Sequence, residues 1–279
     1  MKSWRLDWTL KELFSIKNYK NHADALRHPS RFWIALFLKF IPDLWRKPLL
    51  LELKQGGSFF VRKFMTLYIY KEIFIDKCYD NPVLSGLDPV IVDIGANTGL
   101  FAIRMKQLYP ESQIFCFEPN ELNFEQLSIN VQASKMSFIK PFQFGVGGRS
   151  RKEKLYTHKH NLGGHSIIQS EANSDEYTEI EIVAISEVFE NLNIDKCDLL
   201  KIDCEGAEYE IIKSINRELA MRIEKIIFEP TASVYDVNEL LEHLTNVGFV
   251  MIDNEGLYIA VKPESVNEII MPQPVKLVS

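Results

Sequence analysis

The segment Asp198-Leu-Leu-Lys-Ile-Asp-Cys-Glu-Gly-Ala-Glu208 sets Lys201, Asp203 and Glu205 at every second position of a short apolar run. In an extended strand that spacing puts all three on one face. Carboxylates this close perturb one another's pKa values, a setting suited to proton transfer. The same residues also suit a structural Lys–Asp pair followed by a helix N-cap. A second segment, Val90-Ile-Val-Asp-Ile-Gly-Ala-Asn-Thr-Gly99, carries an apolar run into a D-x-G-x-x-x-G turn. The spacing is not the G-x-G-x-x-G of a dinucleotide site, and no Gly-Lys-Ser/Thr follows to cradle a phosphate. An acidic turn instead suits a ligand such as S-adenosylmethionine, with its sulfonium and amino-acid group; an ordinary tight strand–helix turn is the plain alternative. In the third segment, Phe115-Cys-Phe-Glu-Pro119, Glu118 falls 23 residues after Gly95. A carboxylate there accepts ribose hydroxyls or supports a helix dipole.

Such residues meet only if strands deliver them to one sheet edge. Val90–Ile94, Gln113–Phe117, Phe138–Val146, Asp198–Ile202 and Lys225–Phe228 read as short buried strands. Helical spacing follows at Leu100–Leu108, Glu121–Ala133, Ile211–Leu219 and Val237–Val247. Phe249–Ile252 and Leu257–Val261 flank Asn254-Glu255-Gly256, a hairpin signal. The alternation predicts an α/β, doubly wound, mostly parallel sheet with one antiparallel edge strand, the Rossmann-like class I methyltransferase fold. Ligands of such sheets bind beyond the carboxyl ends of the strands.

Together the three segments resemble the FkbM family of methyltransferases, on VDIGANTGLFA, FCFEPNELNFEQL, Asn130 and above all LLKIDCEGAEYEII, over about Phe60 to Val261. The resemblance implies S-adenosyl-L-methionine as cofactor and O-methylation of a hydroxyl on a sugar, glycan or natural product. It implies Asp93, Gly95 and Asn97 on the methionine side, Gly99 in the turn, and Glu118 with Pro119 at the ribose. Lys201, Asp203 and Glu205 would lie near the reacting centre. The competing readings are a non-catalytic module that binds the cofactor and a methyltransferase acting on protein or RNA.

Residues 149–185 interrupt the alternation with polar, period-2 stretches and read as an antiparallel insertion serving as a lid over the acceptor. His165, in Asn161-Leu-Gly-Gly-His-Ser166, is a candidate general base. His158, His160 and His165 do not have metal-ligand spacing. Glu229, in Ile-Phe-Glu-Pro230, reads as a supporting carboxylate, and no metal is expected.

The domains expected are a basic, Trp-rich helical extension over 1–60, a methyltransferase domain over 61–265 and a tail over 266–279. Residues 51–76 read as short strands around Gln55-Gly56-Gly57. All four tryptophans lie in residues 1–63, which carry a local charge of +8 against −14 for the rest. The acidic remainder speaks against a nucleic-acid partner. The basic stretch reads as a helical cap packed on the domain or as a contact between copies of the chain, and it also allows peripheral contact with an anionic membrane through residues 1–50. Four cysteines without a C-x-x-C pair and no secretory signal place the chain in the cytoplasm, with the inner membrane face as an allowed location.

Overall fold

The computed structural model describes residues 3–41, 46–156, 166–168, 175–204, 206–254 and 256–268. In chain order come α1 (Ser3–Phe14), α2 (Ile16–Ala25), α3 (Pro29–Phe40), β1 (Leu49–Glu52), β2 (Ser58–Val61), α4 (Phe64–Tyr70) and a π-helical turn (Lys71–Asp76). There follow β3 (Val90–Ile94), α5 (Leu100–Leu108), β4 (Gln113–Phe117), α6 (Glu121–Ser134), β5 (Ile139–Phe142), β6 (Gly145–Gly147) and β7 (Arg151–Tyr156). The remainder is β8 (Tyr177–Ala184), α7 (Ile185–Asn191), β9 (Leu199–Ile202), α8 (Glu208–Ser214), α9 (Arg217–Met221), β10 (Lys225–Phe228), α10 (Val237–Asn246), β11 (Val250–Asn254), β12 (Leu257–Val261) and a 3-10 turn (Pro263–Glu268).

The main sheet has the order β11-β12-β10-β9-β3-β4-β5. Neighbours from β10 through β5 run parallel, and β12 is antiparallel to both β10 and β11. This is the expected class I methyltransferase architecture, with one refinement. The antiparallel strand is one in from the edge, because the β11–β12 hairpin folds its second strand back between β11 and β10. Successive β3 residues pack on opposite faces, Ile91 with one apolar cluster and Val92 with the other. The strands are therefore apolar throughout rather than alternating.

Three segments depart from the sequence expectation. Residues 64–76 are helical, although rich in β-branched and aromatic side chains. Phe64, Leu67, Tyr70 and Phe74 fall at helical spacing and are all buried, so packing overrides strand propensity. The stretch 138–146 is two strands, not one: β5 pairs with β4 in the main sheet, and β6 pairs with β8 in a separate sheet of order β6-β8-β7. Pro141 is tolerated because β5 is an edge strand. The 211–219 stripe is split between α8 and α9, where the Asn216 side chain accepts from the Leu219 N–H and caps a new helix.

Leu26, Phe32, Leu36 and Phe59 belong to the same apolar cluster as Ile91 and Ile103, so the N-terminal elements share a core with the sheet. Buried Glu12 (α1), His22 (α2) and Tyr70 (α4) form a chain, with His22 Nε2 3.0 Å from Glu12 and His22 Nδ1 3.3 Å from the Tyr70 hydroxyl. Among the described residues no helix is long and apolar enough to cross a membrane.

Candidate active site

The turns after β3 and β9 lie against each other at the carboxyl edge of the sheet. Asp93 and Lys201 are register partners on these adjacent strands, and the Lys201 ammonium sits 3.0 Å from Asp93 Oδ1. It also donates to the Gly95 carbonyl at 3.2 Å and faces Asp203 Oδ2 at 3.4 Å. Burial alone would lower the Lys201 pKa, but Asp93 and Asp203 outweigh it and hold the ammonium above its ordinary value. Asp93 is fully buried beneath the surface of the site and reaches it through Lys201. Gly95 has φ +77°, and a β-carbon there would collide with the Asp203 carbonyl oxygen. Its role is to let the two turns touch. Gly99, at φ +81°, likewise leaves room for Leu127 of α6.

Two cavities open over these turns and share Gly95, Asn97 and Asp203. The first is lined by Phe117, Glu118, Pro119 and Asn123 on one side and by Val146, Leu155, Ile167 and Ile182 on the other. The small β6-β8-β7 sheet thus borders the Glu118 side of the site. Glu118 accepts from the Asn97 N–H (2.8 Å), the Asn120 N–H (3.0 Å) and Asn123 Nδ2 (3.5 Å). Burial pushes its pKa up to about 7 against these donors. A carboxylate has about four acceptor sites, so one remains for a ligand. Asn97 Oδ1 is buried and has no hydrogen-bond partner among the described residues. An apolar slot with a carboxylate and an orphaned amide oxygen fits a nucleoside whose hydroxyl or amino groups donate.

The second cavity, about 280 Å³, is acidic. Glu72, Asp203 and Glu229 line it with Tyr68, Tyr79 and Lys201. The Tyr79 hydroxyl donates to Asp203 Oδ2 at 3.1 Å. Burial, and then repulsion from Glu229, Asp203 and Asp76, lift Glu72 to about 7, against a hydrogen bond from Tyr68. Burial and Asp203 also raise Glu229. The wall opposite the sheet comes from α4 and the π-helical turn. Sequence reading missed Tyr68 and Glu72, because it took residues 51–76 for strands; the helical spacing of the apolar residues there was the available signal, whereas nothing in the spacing around Tyr79 marked it. Among the described residues no three His, Cys, Asp or Glu side chains are placed to hold a metal ion.

Glu208, fully buried, ends the Asp198–Glu208 segment and fastens the loop before it. It accepts from the Cys204 N–H at 3.0 Å, the Gly206 N–H at 2.9 Å, and the Thr231 and Tyr235 hydroxyls at 3.1 Å each. Glu205 and His165 lie outside the described residues. All four cysteines are free thiols.

Comparison with known proteins identifies the family. The model of the methyltransferase FkbM domain matches residues 93–257. Methyltransferase sdnD of Sordaria araneosa is 30% identical over 228 residues, covering 70% of this chain and 87% of that protein. The 31-O-demethyl-FK506 methyltransferase FkbM of Streptomyces tacrolimicus is 25% identical over 221 residues, covering 66% and 82%. The 2-O-methyltransferase NoeI of Sinorhizobium fredii is 27% identical over 140 residues, covering 45% and 56%. Glu72, Tyr68 and Tyr79 precede the matched region, so the acidic cavity joins the family's sheet edge to a wall outside it. With its sheet order, its paired turns and this match over more than half its length, the chain belongs to the FkbM methyltransferase family.

Proposed function

We propose that the protein is an S-adenosylmethionine-dependent O-methyltransferase acting on a hydroxyl of a sugar, glycan or natural-product small molecule. The observation that carries this reading is the pair of cavities meeting at Gly95, Asn97 and Asp203, one suited to a nucleoside and one acidic. Gly95, Asn97, Glu118 and Pro119 would hold the cofactor, which supplies an electrophilic methyl group on a sulfonium sulfur. Relatives named as 2-O- and 31-O-demethyl methyltransferases support oxygen as the acceptor atom.

On this reading the second cavity receives the acceptor. Tyr79 and Lys201 both meet Asp203 at Oδ2, which orients the carboxylate and presents Oδ1 to the acceptor hydroxyl. Glu72, ionising near neutral pH, would accept the proton that the acceptor hydroxyl gives up. Lys201 stays protonated and fixes both turns. The apolar lining of the slot beside them limits water at the reacting centre, which matters because the reaction cancels charge rather than building it.

Calorimetric titration with S-adenosylmethionine and S-adenosylhomocysteine tests the cofactor. Micromolar binding of both, weakened in Glu118→Ala, is expected; a folded protein that binds neither overturns the reading. A tritiated-methyl transfer screen over sugars, glycolipids and polyketides then tests the acceptor class.

A further inference from the structure

Among the described residues, nine of the fifteen exposed large hydrophobic side chains lie on the first three helices or at their ends. On α1 they are Leu6, Leu10, Leu13 and Phe14, with Phe14 82% exposed. The i, i+4, i+7 spacing of Leu6, Leu10 and Leu13 forms one stripe. The opposite face of α1 points inward and is mixed: Trp8 packs on the core, and Thr9 and Glu12 are buried beside it, Glu12 against His22. This helix turns its leucine stripe toward solvent and buries Thr9 and Glu12, against the usual arrangement for a surface helix. On α3 and its end, Ile34, Phe37 and Ile41 make a second exposed stripe at i, i+3, i+7, while Phe32, Ala35 and Leu36 fill the core. Trp8 of α1 and Phe40 of α3 both pack on Phe64, with ring centroids 5.3 and 6.3 Å away, so the two helices flank the same end of α4.

We propose that this face, formed by α1, the start of α2 and α3, docks on an anionic lipid surface. Scattered exposed apolar residues need no explanation, but stripes on neighbouring helices mark an interaction site. Charge selects the occupant. Lys11, Lys17 and Lys20 are exposed around the stripes, and residues 1–63, to which the three helices belong, carry +8 on a chain whose remainder carries −14. Only this end of the molecule is drawn to a negative surface; the rest is repelled, which orients the docked protein. Exposed Phe14, Ile16, Tyr19 and Phe37 supply apolar and aromatic groups for the headgroup boundary.

The site follows the docking face. α4 carries Phe64 under the two helices and Met65, Tyr68 and Ile69 on the wall of the acidic cavity. Combined with the function proposed above, on which this clause alone rests, docking brings the acceptor cavity to the membrane and favours a lipid-anchored hydroxyl compound.

Vesicle flotation of the full chain, with phosphatidylcholine alone and with 30 mol% phosphatidylglycerol added, tests the proposal. The protein should float with the anionic vesicles, bind pure phosphatidylcholine at least about tenfold more weakly, and lose most binding at high salt. The variant Leu10→Gln/Leu13→Gln/Phe37→Gln, changed only at exposed positions, should lower partitioning at least about tenfold. It should also keep the wild-type melting temperature and S-adenosylhomocysteine affinity. Absence of flotation, or equal flotation of the variant, overturns the proposal. So does light scattering that shows a dimer which the same three substitutions dissociate, because the occupant would then be a second copy. Cofactor titration on the same preparation fails or succeeds independently of flotation.

Discussion

Lys201 and Asp93 stand opposite each other on adjacent parallel strands, 3.0 Å apart and almost without solvent contact. Their pair fixes the two turns that form the floor of the site. Breaking one partner of a buried pair leaves the other charge uncompensated. Lys201→Met is therefore expected to cost roughly 3–5 kcal/mol of stability in urea unfolding. Lys201→Met combined with Asp93→Leu should recover part of that loss. Additive losses would show that the pair is not coupled.

Glu118 links the site to pH in two ways. Its native pKa of about 7 lies above the ordinary 4.5. The stability it contributes is complete below about 4.5 and declines as pH rises toward 7. Glu118→Gln should flatten that decline, read as the difference in unfolding free energy between variant and wild type across pH 4.5 to 7.5. A ligand hydroxyl donating to Glu118 favours the ionised form, so cofactor affinity should strengthen between about pH 6 and 8. The Glu118→Ala protein should bind S-adenosylhomocysteine at least about tenfold more weakly.

Glu72 makes the acidic wall sensitive to charge on the ligand. S-adenosylmethionine carries a sulfonium cation and S-adenosylhomocysteine does not. The affinity ratio favouring the cation should fall as pH drops through about 7 and Glu72 is protonated. Glu72→Gln should leave the ratio flat while preserving S-adenosylhomocysteine binding. With an acceptor in hand, the same variant should lose roughly 10²–10⁴-fold in kcat together with the alkaline rise of the rate profile. Asp203→Asn should instead raise KM and lower kcat across the whole pH range.

Glu208 holds the backbone at Cys204 and Gly206. Glu208→Ala strands the Cys204 and Gly206 N–H groups and two hydroxyls. The expected loss is about 3 kcal/mol or more, with faster hydrogen exchange across residues 203–207. Glu208→Gln keeps the acceptor oxygen and should lose less than half as much.

The sequence by itself determined the parallel sheet, because short β-branched runs separated by helical stripes have one good packing solution. Val90–Ile94, Gln113–Phe117, Lys225–Phe228 and Leu257–Val261 are strands with the bounds their residues imply. It also determined that Asp93, Gly95, Asn97, Glu118, Lys201 and Asp203 gather at one edge, since each follows a strand of that sheet or lies next to its last residue. What each residue does there was decided by tertiary structure. Gly95 yields space to the Asp203 backbone, and Asp93 is neutralised by Lys201, through a register between strands that sequence spacing does not encode. The helical form of 64–76 was decided by burial of Phe64, Leu67, Tyr70 and Phe74 against the core. That choice brings Tyr68 and Glu72 together at the cavity, because residues four apart are neighbours on a helix face but about 13 Å apart along a strand. The exposure of Leu6, Leu10 and Leu13 was also settled only in three dimensions. An amphipathic pattern says that a helix has two faces, and the buried Glu12–His22 contact decides which one turns outward.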